Sequence, residues 1–448
     1  MSTSRAHTVG RTLLWIVVAA GISVPASSAD SSRPLPSPDE AYEAQVDPSL
    51  SYRPLVSAPS WIVPSPALPP GLEAQASNTN VSIVQFQGRL FLAWRTAPTH
   101  FASARARMLV VSSPDLGRTW TQELQLATGH DLREPFLLAV NGRLLLYFVE
   151  LGDHAYAFEP HALLRTERCG AGRWTPPERW GGPGEVTWDF KVRRGRVWMT
   201  SYRGKHYGIQ PRVIEARFRW SRDGLSWADV GPGVVYRGGV SEVSFEFDAA
   251  GKLWAITRDE DGDRSGFGSH VATAEADSPG NWCFPERADP RRYDSPRMFR
   301  HGSDIYLVAR RDLGTPAGSR WRSLDGTLRK LFVWASYSLD AKRTTLYRLD
   351  RQAHRFEPLL DLPSAGDTAF PSILRLGPHE FLIANYSSPL EKTSWSWFRG
   401  QLGKTAIYLV RLRFVPESQQ VVAESRPGAD DPVPTKLPLA VALLLRRR

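Results

Sequence analysis

Two cysteines and four methionines in 448 residues are the clearest shortages of this chain. So few thiols exclude a disulfide-stapled scaffold and a cysteine-based zinc site, and allow at most one internal bridge, Cys169 with Cys283. Long apolar runs are missing too. Leu13 to Ile22 and Leu437 to Leu445 both fall short of the roughly 20 residues that cross a bilayer. The basic residues are almost all arginine, spread through the chain without a Lys/Arg-rich stretch. The formal charge of +10 and pI near 9.7 therefore read as a general preference for acidic ligands and not as a nucleic-acid footprint. Nothing in the composition implies a cofactor.

The ends differ from the middle. Arg5 and Arg11, the short apolar run, and Val24-Pro25-Ala26-Ser27-Ser28-Ala29 form a basic start, an apolar core and a small-residue cleavage site. This is the pattern of a signal peptide over residues 1–29 and predicts export. Residues 30–76 carry ten prolines among Ser, Ala and acidic residues, which predicts an extended linker. The polar, Pro-rich residues 417–448 read as a disordered tail. On this reading both ends are dispensable for stability.

Between them, over 77–416, two ladders of residues run at nearly one pitch. Glycines opening a Gly-x-apolar-apolar-apolar strand stand at 88, 142, 195, 251, 302 and 377, with steps of 54, 53, 56, 51 and 75. Aromatics closing a turn stand at Trp120, Trp174, Trp227, Trp282 and Phe356, with steps of 54, 53, 55 and 74. Within each period, alternation of apolar and polar residues broken by a Gly turn marks a hairpin, as in Glu242 to Phe247, Gly251 and Lys252 to Arg258. Two hairpins per period make a four-stranded blade. The fold class is all-β, a six-bladed propeller of antiparallel blades, and a monomer is expected.

Spacing also locates one rim of the disc, because the innermost strand starts and the second strand ends on the same face. Pairs sixteen apart are Thr79 with Arg95, Glu134 with Glu150, Thr187 with Arg203, Glu242 with Arg258, Asp294 with Arg310, and Phe370 with Tyr386. Such a ring brings charged groups around the mouth of the central channel. Arginine forks facing one cavity suit a carboxylate or other anion. The competing reading is that Glu242 with Arg258 and Asp294 with Arg310 are ion pairs tying strand ends. Two further segments sit near this rim. Asp259-Glu260-Asp261-Gly262-Asp263 lacks the order of an EF-hand loop and reads as solvated. A longer connection around Leu313 to Tyr337 carries Trp321 and Trp334, rings that can stack on sugars.

Ser113-Pro114-Asp115-Leu116-Gly117-Arg118-Thr119-Trp120 resembles the Asp-box, and Ser221-Arg222-Asp223-Gly224-Leu225-Ser226-Trp227 its shorter form. On these motifs and the six-fold ladder the chain resembles the sialidase superfamily. The resemblance implies that Glu242 is a general base activating a tyrosine, and that Arg258 and Arg310 belong to the cluster gripping a substrate carboxylate. The chain departs from that pattern where a first-blade arginine would stand, leaving Arg95 to supply it. It departs again where the nucleophilic tyrosine would open the last blade, since Phe370 stands there and Tyr386 is the remaining phenol. Asp131-Leu132-Arg133-Glu134-Pro135 is also similar to the Arg-Asp-Pro segment of five-bladed arabinan-, xylan- and fructan-cleaving enzymes. With the late Gly366 to Pro371 and Tyr386-Ser387-Ser388, it matches uncharacterised bacterial exported exo-sialidase-like proteins. Together these imply a secreted glycoside hydrolase acting on acidic or acetylated glycans. Glu242, Asp131 and Tyr386 are its catalytic candidates, and Arg95, Arg133, Glu134, Arg258, Asp294 and Arg310 its substrate-binding ones. A non-catalytic carbohydrate- or surface-binding propeller is the alternative.

Overall fold

The computed structural model describes residues 37–417, apart from 156, 205, 207–212, 317–323 and 325. The expected signal peptide, nearly all of the expected tail, and Trp321 lie outside the described residues. Six antiparallel sheets follow one another along the chain. Blade one is Ser77–Phe86, Arg89–Ala97, Arg107–Ser113 and Thr121–Leu126. Blade two is Asp131–Val140, Arg143–Leu151 and Pro160–Gly170, with its outer edge split into Arg173–Trp174 and Glu178–Trp180. Blade three runs through Glu185–Arg193, Arg196–Arg203, Ile214–Ser221 and Ala228–Gly238. In blade four, Val240–Phe247 and Leu253–Asp263 are followed by two short strands, Gly266–Gly268 and Val271–Ala274, and by a bridge from Thr273 to Cys283. Blade five is Asp294–His301, Asp304–Asp312, Lys342–Asp350 and Arg355–Leu362. Blade six holds Ser372–Arg375, Glu380–Ser387 and Ala406–Pro416.

The glycine ladder marks the inner hairpins. Gln87 and Gly88 (φ 47° and 72°), Asn141 and Gly142 (49° and 73°), and Arg194 and Gly195 (54° and 64°) are two-residue turns with both residues left-handed. That is the turn whose twist matches paired strands, and glycine enters its second position without steric cost. Gly377 occupies the corresponding region of blade six without a positive φ.

The two Asp-box-like turns join neighbouring blades. Asp115 Oδ1 accepts from the amides of Arg118 and Thr119, and Asp223 Oδ1 from those of Leu225 and Ser226. A Cβ on Gly117 would lie 3.0 Å from Leu409 of blade six, and one on Gly224 2.9 Å from Leu138 of blade two. Trp120 then packs with Ile62, Val63 and Leu409, and Trp227 with Tyr147, Phe190 and Trp180. Each turn thus plugs the blade before it, with the apolar ring supplying most of the buried area.

The expected linker is corrected by the structure. Tyr52–Val56 and Ser60–Val63 both pair antiparallel with Ala406–Pro416 and form the outer edge of blade six. Prolines are tolerated there because an edge strand leaves alternate N–H groups unpaired. Upstream, helix α1 (Pro38–Glu43) opens with a capping box between Ser37 and Glu40 and lies on the face opposite the rim. Its carboxylates reach three blades. Asp39 pairs with Arg193, Glu43 with Arg375 and with Arg300 at 3.4 Å, and Glu40 Oε1 accepts from the Arg194 amide at 2.8 Å. Helices α2 (Gly326–Leu339) and α3 (Trp397–Leu402) stand on the rim face. Among the described residues no helix is long and apolar enough to cross a membrane. Cys169 and Cys283 are free and exposed.

A chain truncated to begin at Gln75 loses both outer strands and α1. Its melting temperature should fall by about 10 °C or more, since several kcal/mol of packing are removed at ~2–4 °C per kcal/mol for a large domain. An unchanged melt on scanning calorimetry would show that blade six closes without them.

Candidate active site

In five of the six blades the inner strand begins with an irregular step at the rim, and Ala369 precedes that of the sixth. The pairing slips between Thr79 and Val81, Arg133 and Phe136, Thr187 and Asp189, Val240 and Val243, and Asp294 and Arg297. Asn80, Glu134, Ser295 and Ala369 carry positive φ at these steps, 52°, 52°, 51° and 68°. A bulge frees one residue from the ladder and re-aims its side chain, and strain of this kind concentrates at functional sites. Here the bulges surround a cavity of about 310 Å³ whose lining includes Asn80, Glu134, Tyr202, Glu242, Ser295 and Phe370, one from each blade.

The sequence-predicted residues divide into those that face this cavity and those that stand behind it. Arg133, Glu134, Glu242, Arg258, Arg310 and Tyr386 line it; Arg95, Asp131 and Asp294 do not. Asp131, expected to be catalytic, is fully buried. Its Oδ1 accepts from Arg95 Nε and Nη2 at 2.9 and 2.6 Å, and its Oδ2 from Arg133 Nε at 2.5 Å. The two arginines pass this anchorage on. Arg95 donates to the carbonyls of Thr99 (3.2 Å) and Phe101 (2.9 Å), and Arg133 to that of His100 (2.6 Å). Three successive carbonyls of one rim loop are therefore gripped from below.

Arg258 is surrounded by carboxylates. Nη1 donates to Glu242 Oε1 at 2.5 Å, Nη2 pairs with Glu260, and Nε lies 3.2 Å from Asp294. Arg292 bridges Glu260 and Asp294 from behind, at 2.8 Å to each. Burial alone would raise the Asp294 carboxyl, but Arg292, Arg258 and Arg310 outweigh it and hold the group well below the usual range. A guanidinium so engaged is a structural counter-ion.

Arg310 differs. It donates to the carbonyls of Thr368 (2.7 Å) and Ala369 (3.1 Å) and to Ser295 Oγ (3.2 Å), and its guanidinium lies 4.8 Å from the centre of the Trp397 ring. All of these partners are neutral.

Two carboxyl groups on the cavity wall are both raised by burial but have different neighbours. Burial and then the charge of Glu242 raise Glu134 to about 7, and its Oε2 accepts from Asn80 Nδ2 at 3.0 Å. Glu242 is raised by burial against the opposing pull of Arg258, and its Oε2 accepts from the Ser295 amide at 2.8 Å. At neutral pH Glu134 can carry a proton, and Glu242 beside it is ion-paired to Arg258, an arrangement suited to acid catalysis.

Tyr386 lines the cavity, but its hydroxyl donates to Asp367 Oδ1 at 3.0 Å, and burial with the charge of Asp367 keeps the phenol protonated. Asp367 also accepts from Trp397 Nε1 at 3.1 Å and lies 2.7 Å from His100 Nδ1. Sequence reasoning missed His100, Asp367, Asn80 and Glu260. His100 sits in a loop with no periodicity, whereas Asp367 stood in the quoted Gly366 to Pro371 segment. The supposedly solvated 259–263 segment continues a strand, and Asp259, Glu260 and Asp261 are buried. The expected longer connection carrying Trp334 is partly helix α2, whose Trp334 Nε1 donates to the Glu260 carbonyl at 3.0 Å. Among the described residues no group of three or more His, Cys, Asp or Glu side chains is placed to hold a metal ion.

No family model matches the chain, and no curated protein matches it in sequence. Solved structures do. A protein of unknown function from Dyadobacter fermentans is similar at 16% identity and a TM-score of 0.51, over 76% of this chain and 95% of that one. The endosialidase of phage phi92 is similar at 10% identity and a TM-score of 0.50, over 87% and 72%. The fold is a sialidase-like six-bladed propeller. Trypanosoma rangeli sialidase in complex with sialic acid is also similar, at 14% identity and a TM-score of 0.48, and this chain spans 56% of its length.

Arg258→Ala would strand Glu242, Glu260 and Asp294 with one fewer cation. It should destabilise the protein by about 3–5 kcal/mol, the usual effect of breaking a buried charge network. A denaturant melt reads this directly, and a loss below 1 kcal/mol would return Arg258 to the role of a substrate grip.

Proposed function

We propose that this protein is an exported glycoside hydrolase whose substrate glycan carries an acidic group. The observation that carries the reading is Glu134, a buried carboxyl raised to about 7 on the wall of the cavity that Glu242 also lines. Glu134 is the proton donor to the leaving oxygen. Glu242, paired with Arg258 and accepting from the Ser295 amide, faces the positive charge that develops on the sugar ring. Phe101, Phe158, Trp397 and Phe398 add aromatic surface for sugar faces. An acidic substrate is supported by Arg310, whose hydrogen-bond partners among the described residues are all neutral. Leu151, Ala155 and Ala157 give an apolar wall that suits an acetyl methyl. Export rests on the leader-like start of the sequence.

One feature favours a second reading, a glycan-binding propeller without turnover. Phe370 lines the cavity where the resemblance expects a nucleophilic tyrosine, and the Tyr386 hydroxyl is committed to Asp367.

Purified protein offered methylumbelliferyl sialosides, glucuronides and neutral glycosides distinguishes the two. For the hydrolase, Glu134→Gln should lower kcat by roughly 10²–10⁴-fold while leaving ligand binding within about threefold. Activity should also fall as pH rises through about 7, because Glu134 then loses the proton it must donate. Binding by calorimetry with no turnover across the panel would establish the second reading.

A further inference from the structure

We propose that His100 is a second proton-transfer residue of this cavity, with Nε2 as the catalytic atom and Asp367 as the residue that fixes its tautomer. The inference rests on the hydrolase reading above. The geometry has three parts.

The first is the tautomer. Asp367 receives hydrogen bonds from Tyr386 and Trp397 and lies in the field of Arg310, so its carboxylate is an acceptor. Tyr386 and Trp397 already donate to its Oδ1, and His100 Nδ1 stands 2.7 Å from its Oδ2. An ionised carboxylate offers no proton, so Nδ1 must carry one. In a neutral imidazole that leaves the lone pair on Nε2. Nε2 makes no hydrogen bond among the described residues, and the His100 side chain, 15% exposed, lines the cavity.

The second is rigidity. The His100 amide donates to the Gln401 carbonyl at 3.1 Å and its carbonyl accepts from Arg133. The flanking carbonyls of Thr99 and Phe101 accept from Arg95. Both arginines are pinned by Asp131, and the Trp397 ring stands edge-on to the imidazole at 6.3 Å. Backbone and ring are thus fixed from blades one, two and six and from helix α3. A group that only filled space would not need support on every side, whereas a proton-transfer group does.

The third is charge. Asp367, Arg133 and Arg95 are the ionised groups that face His100. Burial, aided by the two arginines against the pull of Asp367, holds its pKa below the ordinary value, so the ring is neutral and able to accept at neutral pH.

In the step this assigns, the O–H bond of an attacking water breaks and its proton passes to Nε2. The freed pair on that oxygen forms the bond to the anomeric carbon. The bond from that carbon to the leaving oxygen breaks, its electron pair goes to that oxygen, and the oxygen takes the proton from Glu134. Asp367 stabilises the imidazolium, and solvent then removes the proton from His100 and returns one to Glu134.

The test compares wild type, His100→Ala and His100→Gln on whichever methylumbelliferyl glycoside the wild type cleaves, with melts to confirm folding. Both variants should lose about 10²-fold or more in kcat. The acidic limb of the pH profile should disappear while the alkaline limb near 7 remains, and free imidazole should partly restore His100→Ala. Full kcat with both limbs retained would overturn the proposal and leave the hydrolase reading standing. Loss of activity with both limbs intact and no rescue would also overturn it, reducing His100 to a support. A wild type that cleaves nothing on the panel would overturn the hydrolase reading and the role of His100 with it. Nitrogen NMR of the wild type is independent of folding in the variants: an Nδ1–H tautomer is expected, and an Nε2–H tautomer would sink the assignment.

Discussion

Charge compensation beneath the rim is the constraint on which this site depends. A propeller brings the starts of six inner strands close to one axis, so polar side chains at those starts are taken out of water together. An isolated buried charge is costly, and a pair is tolerated only when its hydrogen bonds are complete. The chain meets this with two ionic clusters. Asp131 with Arg95 and Arg133 supports the blade-one loop, and Glu242, Glu260 and Asp294 alternate with Arg258 and Arg292 under blades four and five. Residues that look like substrate forks in a list of types are, in space, mostly engaged with one another. What reaches the cavity without a direct ionic partner is small in number and for that reason informative: the guanidinium of Arg310, the proton on Glu134 and the Nε2 lone pair of His100.

The opposite face obeys the same rule with a different supplier. Arg193, Arg300 and Arg375 converge there from blades three, five and six; α1, outside the repeats, supplies carboxylates to all three, and Glu246 of blade four adds one to Arg193. The same N-terminal segment then runs on to complete blade six. Closure of the ring and neutralisation of its lower arginines are therefore carried by one stretch of chain, which ties the first described residues to the last strand.

How much of this was legible depended on whether a residue's position followed from periodicity. Gly88, Gly142 and Gly195 announced their turns because only a residue tolerant of positive φ fits a two-residue hairpin of that twist. The sixteen-residue spacing placed Asp294 opposite Arg310 and Thr79 opposite Arg95, as the register has them. It failed for Glu134 and Glu150, because the bulge at Glu134 moves the partner of Glu150 to Leu132. A bulge adds a residue without changing the alternation on either side, so pattern alone does not reveal it. Tyr52–Val56 was hidden for another reason: its prolines are the mark of a linker, yet they are equally compatible with an edge strand. His100 and Asp367 meet across 267 residues, and no local spacing encodes such an encounter.

The candidate chemistry follows from the same point about environment. Glu134 and Glu242 are one residue type at comparable rim positions, and their intrinsic acidity is identical. Asn80 gives Glu134 a single neutral donor, which does little to favour a charge, whereas Arg258 and a backbone amide give Glu242 two reasons to remain ionised. Once Glu242 is charged, its field falls on Glu134 and raises it further. Burial does most of this, and the charge on a carboxyl of another blade adds to it. A six-fold repeat supplies nearly equivalent positions, and it is the unequal choice of neighbours around them that turns equivalence into separate roles for acid and counter-charge.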